Sequence, residues 1–162
     1  MADCIDALIT ANIKTTCESV TIGHGYNTNC GIVAEKRSEF YLDGVSGPYT
    51  LIERLPRDVE NDYGYSEDSN LKFLIYYFNG KDDTKSGANP IQYEDRNVIA
   101  DFQKSLMADR SRGGRAQNSH VITGGHDMFY QEGLNGNIYK WCTWLLLQVE
   151  RMVDADNPYQ IA

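Results

Sequence analysis

The stretch that most limits what this chain can become is its apolar C-terminal run, IYKWCTWLLLQVERMV, residues 138–153. Two periodicities compete in it. Ile138, Trp141, Cys142, Leu145, Val149 and Met152 recur at helical spacing, whereas Tyr139, Trp141, Thr143, Leu145, Leu147, Val149 and Val153 alternate along one face of a strand. Two tryptophans, and the glycine-rich GLNGN turn that leads in, favour the strand. A strand of that length extends about 50 Å, longer than a small sheet needs. A projecting end, available to a neighbour, is the expected consequence.

The opposite end of the chain reads differently. Ile5, Leu8, Ile9, Ile13 and Cys17, with Val20 just beyond, fall at helical spacing over residues 3–19. Asp3 is placed as an N-cap, and Asp6 in the first turn suits the helix dipole. After Val20 come short β-branched and aromatic pieces set between glycine and asparagine, TIGHGYNTNCGIVAEKRSEFYLDG, which predict strands and turns. GPYTLIERL reads as a strand led by Pro48, a residue that belongs at a strand start or an edge because it has no N–H. LKFLIYYF, residues 71–78, is polar only at Lys72 and predicts a strand covered on both faces. A second amphipathic helix is expected over 91–109, with Val98, Ile99, Phe102 and Leu106 inward and Asp95, Asp101, Gln103 and Lys104 off that stripe. HVIT and DMFYQ are two short strand candidates separated by Gly124-Gly125. The polar stretches near 53–70 and 79–90 are expected to be exposed loops. The sum is an α+β fold in one domain, 1–162, with a mixed, mostly antiparallel sheet and two main helices packed on it.

Bulk properties exclude several classes. The 162 residues suffice for a core without disulfide or metal support. No apolar window is long enough to cross a membrane as a helix, and MADCIDALITANIK lacks the basic start of a secretory signal, so synthesis in the cytoplasm is the expectation. Cys4, Cys17, Cys30 and Cys142 form no CxxC pair and are read as reduced, buried thiols. A formal net charge of -8 argues against a general nucleic-acid binder.

Constellations for catalysis are thin. His24, His120 and His126 lack the closely spaced partners of a zinc site, so no metal or cofactor is expected. GHGYNTNC sets His24 near Cys30 and GGHD sets His126 beside Asp127. No cysteine stands in a nucleophile motif, although a Cys/His pair is one that the fold decides, since such residues meet in space. No serine sits in a GxSxG elbow, and Asp82-Asp83 and Glu67-Asp68 read as solvated loop charge. GHGYNTNCG lacks the Lys-Ser/Thr that completes a phosphate-binding loop.

One basic feature interrupts this acidic chain: MADRSRGGRAQNSH, with Arg110, Arg112 and Arg115 around Gly113-Gly114. A phosphate cradle precedes a helix and uses its N-terminus, whereas this turn comes after one. The favoured reading is a helix C-terminus complemented by cations, then a glycine turn into a strand.

The order of these pieces is informative. An N-terminal amphipathic helix leads to GYNTNCGIVAEKR and GPYTLIE, then to LKFLIYYF, then to EDRNVIADFQKSLMADRSRGGRAQNSHVI and the terminal apolar strand. This order, from about Ile5 to Val149, resembles the tail terminator proteins (minor tail protein U-like) of long-tailed bacteriophages. The similarity rests on Asp109 at the end of the second helix, Gly113-Gly114 and Ala116 before a strand, Tyr26-Asn27-Thr28 after the first helix, and Pro48 leading a strand. The resemblance implies a small α/β virion protein of the tail–neck region that assembles as a hexameric ring. Such a ring caps the tail-tube protein, stops tube growth and presents its other face to the neck or connector, with the sheath as a further partner in contractile tails. It implies no enzyme and no cofactor. Loops 53–70 and 79–90 go beyond the family's minimal pattern. In such a ring an acidic wall lets DNA pass without sticking, and Arg110, Arg112 and Arg115 are candidates to pair with a neighbour's acidic loop, for instance at Glu60 and Asp62. The rivals are another neck or head–tail joining protein, a small hydrolase or transferase using His24, Cys30 or His126, and a nucleic-acid module using the arginine turn.

Overall fold

In a computed structural model, which describes residues 4–36, 47–56, 70–79, 91–133 and 136–151, the chain forms two helices and one five-stranded mixed sheet. The elements run α1 (Ile5–Glu18), a short 3-10 turn (Ile22–His24), β1 (Ile32–Glu35), β2 (Tyr49–Arg54), β3 (Asn70–Phe78), α2 (Ile91–Ala108), β4 (Ala116–Gly133) and β5 (Gly136–Arg151). The strands lie in the order β1-β2-β3-β5-β4. Only β1 and β2 are parallel; every other neighbouring pair is antiparallel. This is the expected α+β arrangement, and the C-terminal run is a strand. The loop segments 57–69 and 80–90, together with Asp3, Met152 and Val153, lie outside the described residues.

Both helices pack on one face of the sheet, and their stripes meet the inward-facing alternation of the strands. Ile5, Ile9, Ile13 and Cys17 of α1 and Val98, Phe102 and Leu106 of α2 join Phe73, Ile75, Leu145, Leu147 and Val149 in one buried cluster. Each such side chain contributes about 1.5–3 kcal/mol by leaving water. In α1 the N-cap position falls to Cys4, with no side-chain cap, and Asp6 is buried, not a solvated first-turn charge. Asp101, expected off the stripe of α2, is also buried. It accepts the Asn27 backbone N–H at 2.8 Å and so ties the helix to the loop after α1.

The central strand β3 departs from expectation on one face. Leu71, Phe73, Ile75 and Tyr77 are sealed beneath the helices, but Lys72, Leu74 and Tyr76 opposite are only half-buried. With both helices on one side, this antiparallel sheet keeps a second face that they do not cover. That face has its own cluster of Tyr49, Leu51, Phe78, Phe129 and Cys142. Phe129 meets Tyr76 and Phe78 edge-on, at centroid distances of 5.1 and 5.4 Å.

A second departure lies in β4. The two short strands expected on either side of Gly124-Gly125 are one strand of 18 residues. Both glycines stay in the ladder, opposite Leu145 and Trp144. The continuous partner β5 overrides the local tendency of a glycine pair to break a strand. The irregularities fall instead at Ala116/Asn118 and Val121/Thr123, where the register shifts.

Pro48 stands at the start of β2 as expected, and its carbonyl accepts the Ile32 N–H at 3.3 Å. The approach leaves room for no side chain at Gly31: a Cβ there falls 1.8 Å from the Pro48 oxygen. The junction between β1 and β2 therefore depends on glycine at this position.

The β4–β5 ladder outruns the rest of the sheet. β3 pairs with β5 from Asn70↔Glu150 to Tyr77↔Thr143, whereas β4 continues to pair with it as far as Gly133↔Gly136. Among the described residues, 136–142 of β5 thus have a strand on one side only, and the hairpin extends past β3 as an arm.

Candidate functional site

The arginine turn is built from the end of α2. The helix stops at Ala108, and Asp109 organises the turn beyond it. Its carboxylate accepts the Gly113 N–H at 2.8 Å, the Ser111 hydroxyl at 2.8 Å and the Asn12 amide of α1 at 3.2 Å. Partial burial of this carboxyl works against ionisation, but the bonds from Ser111, Gly113 and Asn12, with the Arg112 charge, outweigh it and hold Asp109 below the usual carboxylate range. The chain turns through three successive left-handed residues, Arg112 at φ 50°, Gly113 at 67° and Gly114 at 79°. Two of the three are glycines, which adopt that region without strain. The Arg115 and Ala116 N–H groups both return to the Ser111 carbonyl, at 2.8 and 2.9 Å, and deliver the chain into β4.

The turn separates its three arginines. Arg110 is exposed. Arg115 folds over the turn, with Nη1 at 3.4 and 3.3 Å from the Arg112 and Gly113 carbonyls. Arg112 is fully buried, and its Nη2 donates to the Leu106 carbonyl at 2.5 Å. α2 has no basic residue in its last turn, so Arg112 reaches back to supply the cation that complements its C-terminus. Burial presses this guanidinium below its ordinary range, while the Asp109 carboxylate acts in the opposite sense. Its Nε and Nη1 are enclosed without a hydrogen-bond partner. Of the residues expected at a subunit contact, Arg110 is exposed, Arg115 partly so, and Arg112 is buried in the chain's own interior. Glu60 and Asp62 lie outside the described residues.

The residues of the enzyme rival are dispersed in role. His24 is exposed, with Nδ1 at 2.9 Å from the Ser19 carbonyl. The Cys30 thiol is buried against the Glu18 and Gly31 carbonyls, and burial raises its pKa, the wrong direction for a nucleophile. His126 stacks on Trp141 with the rings 7° from parallel. Cys17 is likewise buried and pushed up by burial. Among the described residues, no group of three His, Cys, Asp or Glu side chains stands close enough to hold a metal ion.

The uncovered sheet face carries a groove of about 430 Å³ lined by Lys36, Leu74, Tyr76, Asp127, Phe129, Cys142 and Trp144. Lys36 bridges to Glu53 at 2.7 Å and lies over the Phe129 ring, and the Tyr76 hydroxyl donates to Glu53 at 2.9 Å. Burial, with the Glu53 contact, raises the Tyr76 phenol above its ordinary value, and burial alone takes Tyr49 up to about 12.

Sequence reasoning missed two polar links. Asp6 binds both Arg54, at 2.6 Å, and Arg151, at 2.9 Å; Asp101 binds the loop at Asn27. In the sequence Asp6 reads as a first-turn charge and Asp101 as lying off the stripe of its helix, and the partners of both are far apart along the chain.

No protein-family profile matches the chain, and no curated protein sequence matches it.

Proposed function

We propose that this chain is the subunit of a ring that ends the tail tube of a long-tailed phage, stops tube polymerisation and forms the interface to the neck. The order of its elements carries this reading: α1, the Tyr26-Asn27 loop, a Pro48-led strand, an apolar central strand, α2, the Gly113-Gly114 turn, and a long final strand. The same order underlies the resemblance to tail terminators. The projecting β4–β5 arm supports it, because an element that outruns its own sheet offers surface to another molecule. A net charge of -8 is compatible with a wall past which DNA slides, since like charge repels phosphate. The protein acts by assembly and docking, with no reaction of its own.

The mass of the purified chain in solution, alone and mixed with tube protein, tests the proposal. Rings that shift in mass when short tubes are added support it; a monomer with no effect on tubes overturns it.

A further inference from the structure

The sheet has two outer edges, β1 and β4, and among the described residues no strand pairs with either from outside. Natural edge strands are usually blunted by Lys, Pro or other charge. The first part of the edge along β4 carries no such residue. From Ala116 to His126 it reads AQNSHVITGGH, without a single Asp, Glu, Lys, Arg or Pro, in a chain whose net charge is -8. Two register shifts kink this uncharged part, and the unbroken run from Thr123 to Gly133 goes on to carry Asp127 and Glu132. Copies of an acidic protein repel one another nearly everywhere; along the uncharged residues 116–126 of this strand they do not.

The opposite edge is short and equally open. Ile32 donates its N–H to Pro48 and Lys36 donates its N–H to Ile52, so alternate residues of this segment turn their backbone groups toward β2. Val33 and Glu35 therefore turn theirs outward. Exposed large apolar side chains cluster at the same two margins. Ile32 is 63% exposed on β1, Ile122 45% on β4, and Trp141 40% beside β4 on the arm.

Strand polarity makes these edges complementary. β1 runs with β2 and β5, and β4 runs against them. When the sheet of one copy is continued by the next, β4 of the first meets β1 of the second in the antiparallel sense, with the helices of both copies on the same side. We infer that a second copy of this chain docks edge to edge, β4 of one subunit against β1 of its neighbour, so that one sheet runs through successive subunits. The contact is heterologous: each copy gives one edge and receives the other, which generates a closed ring or an open filament and never a two-fold dimer. This deepens the ring reading and rests on it for closure.

Two variants separate the edges without touching the core. Glu35→Pro removes an outward N–H from β1 while leaving the bonds to β2 in place. Ile122→Lys combined with Thr123→Lys places charge on two exposed positions of β4. Circular dichroism first establishes that both remain folded, and native mass spectrometry then reads their assembly. The expected result is a ring for the unaltered protein, monomers for each variant alone, and a 1:1 dimer when the two are mixed, because one intact β4 and one intact β1 remain. Rings that persist in both variants overturn the edge contact and leave the ring reading standing. Filaments in place of rings, abolished by either variant, uphold the edge contact and overturn the ring reading. Dimers lost only in the Ile122/Thr123 variant show β4 pairing with itself and overturn the inference, as does an unaltered protein that stays monomeric.

Discussion

Asp6 stands between two arginines from the strands that flank β3, bound to Arg54 through Oδ2 and to Arg151 through Oδ1. Arg151 is 3% exposed at its side chain and Arg54 38%, so the two pairs differ in worth. Removing Asp6 takes the carboxylate from a buried guanidinium, and Asp6→Ala is expected to lower stability to urea by ~3–5 kcal/mol. Arg54→Ala, with Arg151 still in place and water at hand, is expected to cost about 1 kcal/mol or less. Equal losses for the two substitutions contradict this assignment. Asp109 makes a prediction in pH. A carboxyl held below its unfolded value of ~4 stabilises the fold above that value and stops doing so as pH falls through the lower, folded one. Asp109→Asn is therefore expected to lower Tm near neutral pH, with the gap to the unaltered protein closing below pH ~4. A gap that stays constant between neutral pH and pH ~3 refutes the role given to this carboxylate. Periodicity alone marks several of these residues as inward-facing: Arg151 continues the alternation of Leu145, Leu147 and Val149, and Asp6 shares a stripe with Ile9 and Ile13. The pairing itself is not readable, because it joins positions 145 residues apart.

At the level of elements, β5 is the spine of the molecule. Over residues 143–150 it is paired on both sides, and Leu145, Leu147 and Val149 are completely buried. Hydrogen exchange followed by mass spectrometry is expected to show slowest exchange in the 143–149 amides and clearly faster exchange across 136–142, where β4 is the sole neighbour. Uniform protection along the whole strand contradicts an outer part that projects as an arm. The strand was legible in its alternation and its tryptophans, and α1 and α2 in stripes that the core reproduces almost residue for residue. β4 was not. Gly124-Gly125 signals a break in local chemistry, and only the ladder of β5, an interaction between distant segments, keeps the strand whole. Coverage of β3 was misjudged for a related reason. An apolar run reports that a strand lies in the middle of a sheet, but the side taken by each helix is settled by tertiary packing.

For the whole molecule, Cys17, Cys30, His24, His126, Arg112 and Arg115 are each taken up by local structure. The described thiols with raised pKa are buried, His24 and His126 sit in separate surroundings, and the arginine turn finishes α2 and launches β4. The turn thus proves to be a joint, with Arg110 as its outward-facing charge. Its use in the sequence was as a landmark whose place in the order of elements points toward tail terminators. Under the proposed reading, the open edges, the projecting arm and the sheet face that the helices leave uncovered are the surfaces offered to other subunits. The most direct test adds the purified chain to polymerising tail-tube protein and measures tube length by electron microscopy. Growth that stops when the added protein is far scarcer than tube subunits, with a ring visible at the tube end, is the result expected of a terminator. Tubes of unchanged length with bare ends contradict it.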